Sequence, residues 1–408
     1  MNQRNAKIGP RLLAWLVTLL GLSVMPAYAG GFLGHVDGKL RLYDFQRINQ
    51  GNKPGTLRSF SFGGMLHADT KAFRGLSAGA TFAAAEPLGL NDFPTKTDNS
   101  LPGNTVTSLT ESYLTYRHAG AGMLRVGNQI FKSPWANPSD SRMIPATFQG
   151  VVYHSPKLYG FSLTAARIFR WKGRTAEHFG TINLLKQSTT GFLAFGAAYH
   201  GHGLSGTFWH YRFYSLADME HLQVKYARKI YGGATALLGF QYIHETDVGS
   251  ARLGKVDTDA YGLLAGARFG PLTLTLGLNH ITPNPGAYHG GDIVSPYTHS
   301  YATDPLYTTS MTQGMVEQNS AGNAWKLKGV YWAFRHRIRM IASYARYNVD
   351  TPVHTGQTGN PHEIDIDATY FPPGKLKGLS LRDRVGFFDY PGAPKTFVYN
   401  RVMVQYLF

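Results

Sequence analysis

The chain of 408 residues contains no cysteine. A secreted soluble protein of this size in an oxidising compartment usually carries some, so the absence favours an envelope protein stabilised by other means. Long apolar runs are also missing after the first thirty residues, because glycine, charge or tyrosine interrupts each one. A mean hydropathy of −0.20 is likewise too polar for a helical membrane protein. Acidic residues are scarce, 24 against 40 Lys and Arg. What the chain has in quantity is glycine (47), tyrosine (24) and phenylalanine (24), a mix suited to aromatic, alternating strands.

The first thirty residues set the compartment. Arg4, Lys7 and Arg11 form a basic start, residues 12–25 an apolar run, and Ala27-Tyr28-Ala29 supplies small residues where a signal peptidase reads. This is the pattern of a cleaved secretory leader, residues 1–29. The run falls short of the roughly 20 residues a membrane helix needs. Residues 30–408 are then a single domain. A signal peptide with no later membrane helix and many alternating aromatic segments points to an outer-membrane β-barrel of a Gram-negative bacterium. Closing the sheet pairs every backbone group, as lipid requires.

Period-two alternation bounded by Gly, Pro, Asn or Asp marks strands at about 36–47, 56–69, 76–85, 106–117, 123–132, 150–155, 161–171, 192–200 and 204–214. It continues at 219–229, 233–245, 258–269, 272–281, 324–332, 337–347, 363–371, 379–388 and 397–408. The count is eighteen, an even number, and most segments approach the roughly 9–11 residues a tilted membrane strand needs. Connections alternate between short (119–122, 201–203, 270–271) and long (86–105, 172–191, 282–323), as periplasmic turns and external loops do. The connection at 215–218 is short where a long one is due. The final strand carries Val402, Val404, Tyr406 and terminal Phe408 on one face, which resembles the signal read by barrel-assembly machinery.

Lipid-facing cations cost roughly 2–4 kcal/mol each near the midplane, so strand Lys and Arg should face the lumen. Alternation places Arg41, Arg47, Arg125, Arg339, Arg382 and Arg384 there. Asp365 and Asp367 also point inward and could hold the arginines or contact a substrate cation. Asp383 is awkward, since its register sends it towards lipid. Guanidiniums along a pore wall stay charged and offer forked donors matching a carboxylate, so an anion can pass from one to the next. A plainer role for them is to balance lumenal acids or bind lipopolysaccharide phosphates.

Residues 133–150 hold Pro134, Pro138 and Pro145, which fit neither helix nor strand, together with Trp135, Met143, Ile144, Phe148, Asp140 and Arg142. A loop of this length with its own apolar anchors is expected to fold against something. The expectation is an inward constriction over about 133–149. This loop (NPSDSRMIPATFQG), the stretch LKGLSLRDR at 376–384 and the late Arg401 resemble the OprD family of outer-membrane channels. The resemblance implies an eighteen-stranded barrel whose third external loop narrows the channel, and passive uptake of small, usually carboxylate-bearing solutes such as amino acids or aromatic acids. It also implies that Arg41, Arg125, Arg382, Arg384 and Arg401 are ladder positions and that Asp140 and Arg142 belong to the constriction. The solute itself does not transfer, because the external loops do not match.

Rival functions find weaker support. Ser162 or Ser205 near a strand histidine gives no triad spacing for a hydrolase. His289, Asp292 and His299 could form a metal set, but His-rich polar loops are more often solvated. A non-selective porin and an adhesion barrel are the competing classes within the same fold. No metal, cofactor or nucleic-acid partner is expected. The expected partners are small anionic or zwitterionic solutes, outer-membrane lipid and lipopolysaccharide, and the assembly machinery. Association as a homotrimer stays open.

Overall fold

The computed structural model describes residues 31–50, 55–88, 101–294, 304–312, 314–318, 320–349 and 360–408. The expected leader and His299 lie outside the described residues. Alternation resolves into eighteen strands: β1 (Leu33–Ile48), β2 (Thr56–Thr70), β3 (Leu76–Pro87), β4 (Val106–His118), β5 (Gly122–Gln129), β6 (Thr147–His154), β7 (Phe161–Lys172), β8 (Phe192–Gly201) and β9 (Leu204–Phe213). The second half adds β10 (Ala217–Lys229), β11 (Thr235–Asp247), β12 (Asp257–Phe269), β13 (Leu272–Ile281), β14 (Gly322–Ala333), β15 (Ile338–Val349), β16 (His362–Tyr370), β17 (Leu379–Asp389) and β18 (Phe397–Leu407). Each pairs antiparallel with its sequence neighbours, and β1 pairs with β18 to close the ring. Closure removes both sheet edges. No described helix is long and apolar enough to cross a membrane.

Short connections gather at one end of the barrel, as at 119–121, 202–203 and 270–271, and long ones at the other, as at 130–146, 173–191 and 282–321. The two-residue turn His202–Gly203 has φ of 51° and 78°, the left-handed pair that matches strand twist in a tight hairpin. The exterior is a band of exposed apolar side chains, among them Leu114, Val126, Leu238, Leu263, Leu276, Leu327 and Ile366. In water such a surface would aggregate, but against acyl chains it is the matched face. The buried residues face inward. Trp209 stacks on Tyr211 at 5.8 Å and Tyr211 on Phe213 at 5.5 Å. Phe148 meets Phe131 and Phe192 edge-on nearby. The chain end closes against a glycine: Gly38 N donates to Phe408 O at 2.9 Å, and a Cβ on Gly38 would lie within 2.4 Å of the Phe408 ring.

Two expectations need correction. Strand β5 ends at Gln129 and β6 begins at Thr147, so the connecting segment is 130–146 and Phe148 belongs to the barrel wall. The boundary slips because Thr147, Phe148 and Gln149 pair with β7, with a bulge between Gln149 and Gly150 that breaks the period. The rule that strand arginines face inward fails at Arg58, Arg167, Arg212, Arg346 and, one residue from the short-turn end of β10, Arg228, which alternation puts outside. Arg58, Arg212 and Arg346 stand within three residues of the long-loop end of their strands, where the penalty falls to about 0–1 kcal/mol. Arg58 and Arg212 also pair with Asp44 and Asp218 at 2.6 and 2.7 Å. Arg167 lies over the Phe169 and Tyr214 rings at 4.7 and 4.9 Å.

Candidate functional site: the barrel interior

Inward-facing arginines stand in register on neighbouring strands. Arg339 on β15 and Arg382 on β17 both flank Thr369 of β16. Arg384 of β17 lies opposite Arg401 of β18. Gln405 of β18 lies opposite Arg41 of β1 and accepts from its Nε at 2.7 Å. The row therefore runs β15, β17, β18, β1. One carboxylate serves two members: Asp367 accepts from Arg382 Nε at 2.9 Å and pairs with Arg384 Nε at 3.0 Å. That leaves an excess of positive charge. Asp365 does not join them. It bonds Ser343 Oγ at 3.1 Å and the amide of Met311 at 3.2 Å.

The other sequence candidates lie apart from this row or at its margin. Arg125 on β5 sits 4.0 Å over the Tyr113 ring and donates to Thr115 at 3.0 Å. Arg47 lies over Phe45 and Tyr399 at 5.1 and 5.6 Å, and Arg401 lies 4.1 Å over Tyr399. A ring's negative face suits a guanidinium, so these aromatics hold the arginines without cancelling their charge.

Segment 130–146 bonds to strands remote from its own. Asp140 accepts from Lys39 at 2.6 Å and Arg41 at 2.8 Å, both on β1. Strand β1 stands four places round the ring from β5. Arg41 also donates to the Arg142 carbonyl, Tyr43 to the Ser141 carbonyl at 3.2 Å, and Arg142 Nη2 to the Tyr399 hydroxyl of β18 at 2.6 Å. Burial would raise the Asp140 carboxyl, but Arg41 and Lys39 outweigh it and hold it below the usual carboxylate range. Trp135 and Ile144 are buried as apolar anchors, and the Trp135 amide faces the Tyr211 hydroxyl at 3.4 Å. From the next long connection, Arg174 donates to Ser139 and Ser141, both at 3.2 Å.

A second segment, which the sequence left unassigned, also binds inward-facing side chains. In 304–312, the Pro305 carbonyl accepts from Gln241 at 2.7 Å and the Thr308 amide donates to Asn279 at 3.1 Å. The Thr309 carbonyl accepts from Lys326 at 2.6 Å. The Thr312 amide donates to Glu363 at 2.8 Å, and the Met311 carbonyl accepts from Arg401 at 3.0 Å. Tyr307 fills a slot over Gly239 and Gly277, where any Cβ would lie within 3 Å of it. Those two glycines, on inward positions of β11 and β13, were the available signal. A space of about 490 Å³ lies towards the short-turn end, lined by Lys39, Glu111, Tyr113, Arg125 and Lys132 among others. No cluster of three or more His, Asp or Glu suited to a metal occurs among the described residues.

A family model described as outer membrane porin, OprD family, matches residues 114–408, well over half the chain. The chain belongs to that family. It is therefore an outer-membrane porin of a Gram-negative bacterium, and its relatives are channels rather than enzymes. Solved structures share its fold. The outer membrane protein OpdK of Pseudomonas aeruginosa, also solved with vanillate, superposes with a TM-score of 0.78 at 20% identity, covering 93% of this chain and 100% of that one. OccAB3 of Acinetobacter baumannii gives 0.79 at 17% identity, covering 93% and 99%. At these identities the likeness establishes the barrel and no more. No curated protein matches the porin by sequence.

Proposed function

We propose that this porin gives passive, selective diffusion to small carboxylate-bearing solutes. Arg339, Arg382, Arg384, Arg401 and Arg41 serve as successive partners, and segment 130–146 folds inward as the constriction. The carrying observation is the register of those arginines on neighbouring strands with Asp367 as shared counter-charge. A solute carboxylate exchanges one fork of donors for the next, and low-dielectric walls raise its local concentration. Arg142, tied to Tyr399 beside Arg401, brings one more cation to the narrowest part. Segment 304–312 forms the facing wall. Vanillate in the OpdK structure is an aromatic carboxylate, the kind of anion a row of guanidiniums suits. The C-terminal strand ending at Phe408 presents the end that assembly machinery would take up.

The decisive experiment is planar-bilayer selectivity together with liposome swelling on a panel of amino acids, aromatic acids and sugars. The triple variant Arg382→Gln, Arg384→Gln, Asp367→Asn removes the paired cluster without stranding a buried carboxylate. It should lower anion preference and slow carboxylate entry while sugar entry holds. Equal entry of sugars and carboxylates in the unaltered protein would favour a non-selective porin, and absence of conductance an adhesion barrel.

A further inference from the structure

On the outer face of the barrel, strands β6 to β9 flank an apolar groove of about 520 Å³. Two rows of outward side chains frame it. Tyr153, Ala165, Phe195 and His210 stand opposite one another across the four strands. Val151, Arg167, Leu193 and Arg212 form the next row towards the long-loop end. Ala165 makes the trough, because its methyl stands between the larger Tyr153 and Phe195. Arg167 is the seventh of twelve residues in its strand, well below the rim. Its guanidinium lies over the Phe169 and Tyr214 rings, both nearer the long-loop end, and Nη1 donates to the Ile168 and Phe192 carbonyls at 2.6 and 3.4 Å. The bulge between Gln149 and Gly150 turns Arg170 outward as well, opposite the neutral Gln149.

The acids nearby are already taken: Asp218 pairs with Arg212 at 2.7 Å, and Glu220 lies 3.7 Å from His210. Among the described residues no carboxylate pairs with Arg167 or Arg170. Other outward rows at that end match base with acid, as Arg58 with Asp44, His244 with Asp259 and His362 with Asp389. We infer that this groove docks one phosphate-bearing lipid of the outer leaflet, the lipid A part of lipopolysaccharide. An acyl chain fills the trough over Ala165, and a phosphate takes the donors of Arg167 and Arg170. Guanidiniums facing hydrocarbon are costly, and phosphate oxygens match their forked donors. The vertical order also fits. In the outer leaflet the phosphate stands above the chains, and both arginines lie on the long-loop side of the trough. A free phosphate would meet only the arginines and an uncharged lipid only the trough; an anionic lipid uses both.

The test titrates purified porin in mild detergent with diphosphoryl lipid A and counts adducts by native mass spectrometry. The unaltered chain should retain one lipid. Arg167→Gln with Arg170→Gln should weaken retention by about tenfold or more, since two charge-assisted contacts go. Ala165→Phe fills the trough without touching charge and should weaken retention several-fold. Both variants should keep the heat-modifiable mobility of a folded barrel and unchanged ion selectivity in bilayers, because these side chains face away from the lumen. Arg346→Gln, on the outer face of β15, should retain lipid A as the unaltered chain does. Equal retention of dephosphorylated lipid A would overturn the inference, as would displacement of the lipid by inorganic phosphate. So would tighter binding of phosphatidylglycerol, or a loss in Arg346→Gln as large as in the groove variants.

Discussion

Replacing Asp140 by asparagine tests the proposed constriction with almost no change of shape. The carboxylate holds Lys39 at 2.6 Å and Arg41 at 2.8 Å, so its loss adds one unit of positive charge and releases two cations. For a solute carboxylate about 4 Å away, one unit charge is worth about 1 kcal/mol in water and about 4 kcal/mol at an effective dielectric of 20. A hydrated pore sits near the lower figure, so anion over cation permeability should rise roughly fivefold. The assay is the reversal potential of single channels under a salt gradient. The gain should shrink at high salt, where the screening length falls to about 3 Å. Tyr399→Phe is the control, because it removes the Arg142 bond of 2.6 Å and keeps the Asp140 carboxylate with its two cations in place. An unchanged reversal potential in Asp140→Asn, or a shift towards cations, would refute the placement of Asp140 on the solute's path. Equal shifts in both variants would mean that loosening, not charge, sets selectivity.

Deleting residues 137–146, which spares strand β6, should raise single-channel conductance if 130–146 narrows the passage, and a fall or no change would place it elsewhere. Gly277→Val should unseat Tyr307, costing about 1–3 kcal/mol of overpacking in thermal unfolding and raising conductance as 304–312 lifts. Asp304 and Glu317 crowd Gly314, where a Cβ would lie 2.7 and 2.8 Å from their oxygens. Burial raises both carboxyls, and the Asp304 charge raises Glu317 further. A raised acid stabilises the folded segment fully at low pH and loses that contribution as pH climbs through its raised value. Current noise should therefore grow from mildly acidic to mildly alkaline buffer, and Asp304→Asn should flatten the response.

The sequence alone determined the strand number, the sidedness of the connections and which faces meet lipid. All three depend on local period, since a pleated strand sends alternate side chains to opposite faces and lipid penalises error at every position. Arg41, Arg339, Arg382, Arg384 and Arg401 were legible for that reason, and so was the outward register of Asp383. Tertiary structure alone decided where the chain leaves that period. The bulge at Gln149–Gly150 moved Phe148 into the wall, and β1 supplied partners to Asp140 from about a hundred residues away in sequence. The seating of 304–312 on Gly239, Gly277, Asp365 and Glu363 was hidden for the same reason: a loop's docking depends on which strands the closed ring brings round to face it. Pairing between β1 and β18 joins the two ends of the chain, and only that closure makes one wall of Arg401 and Arg41.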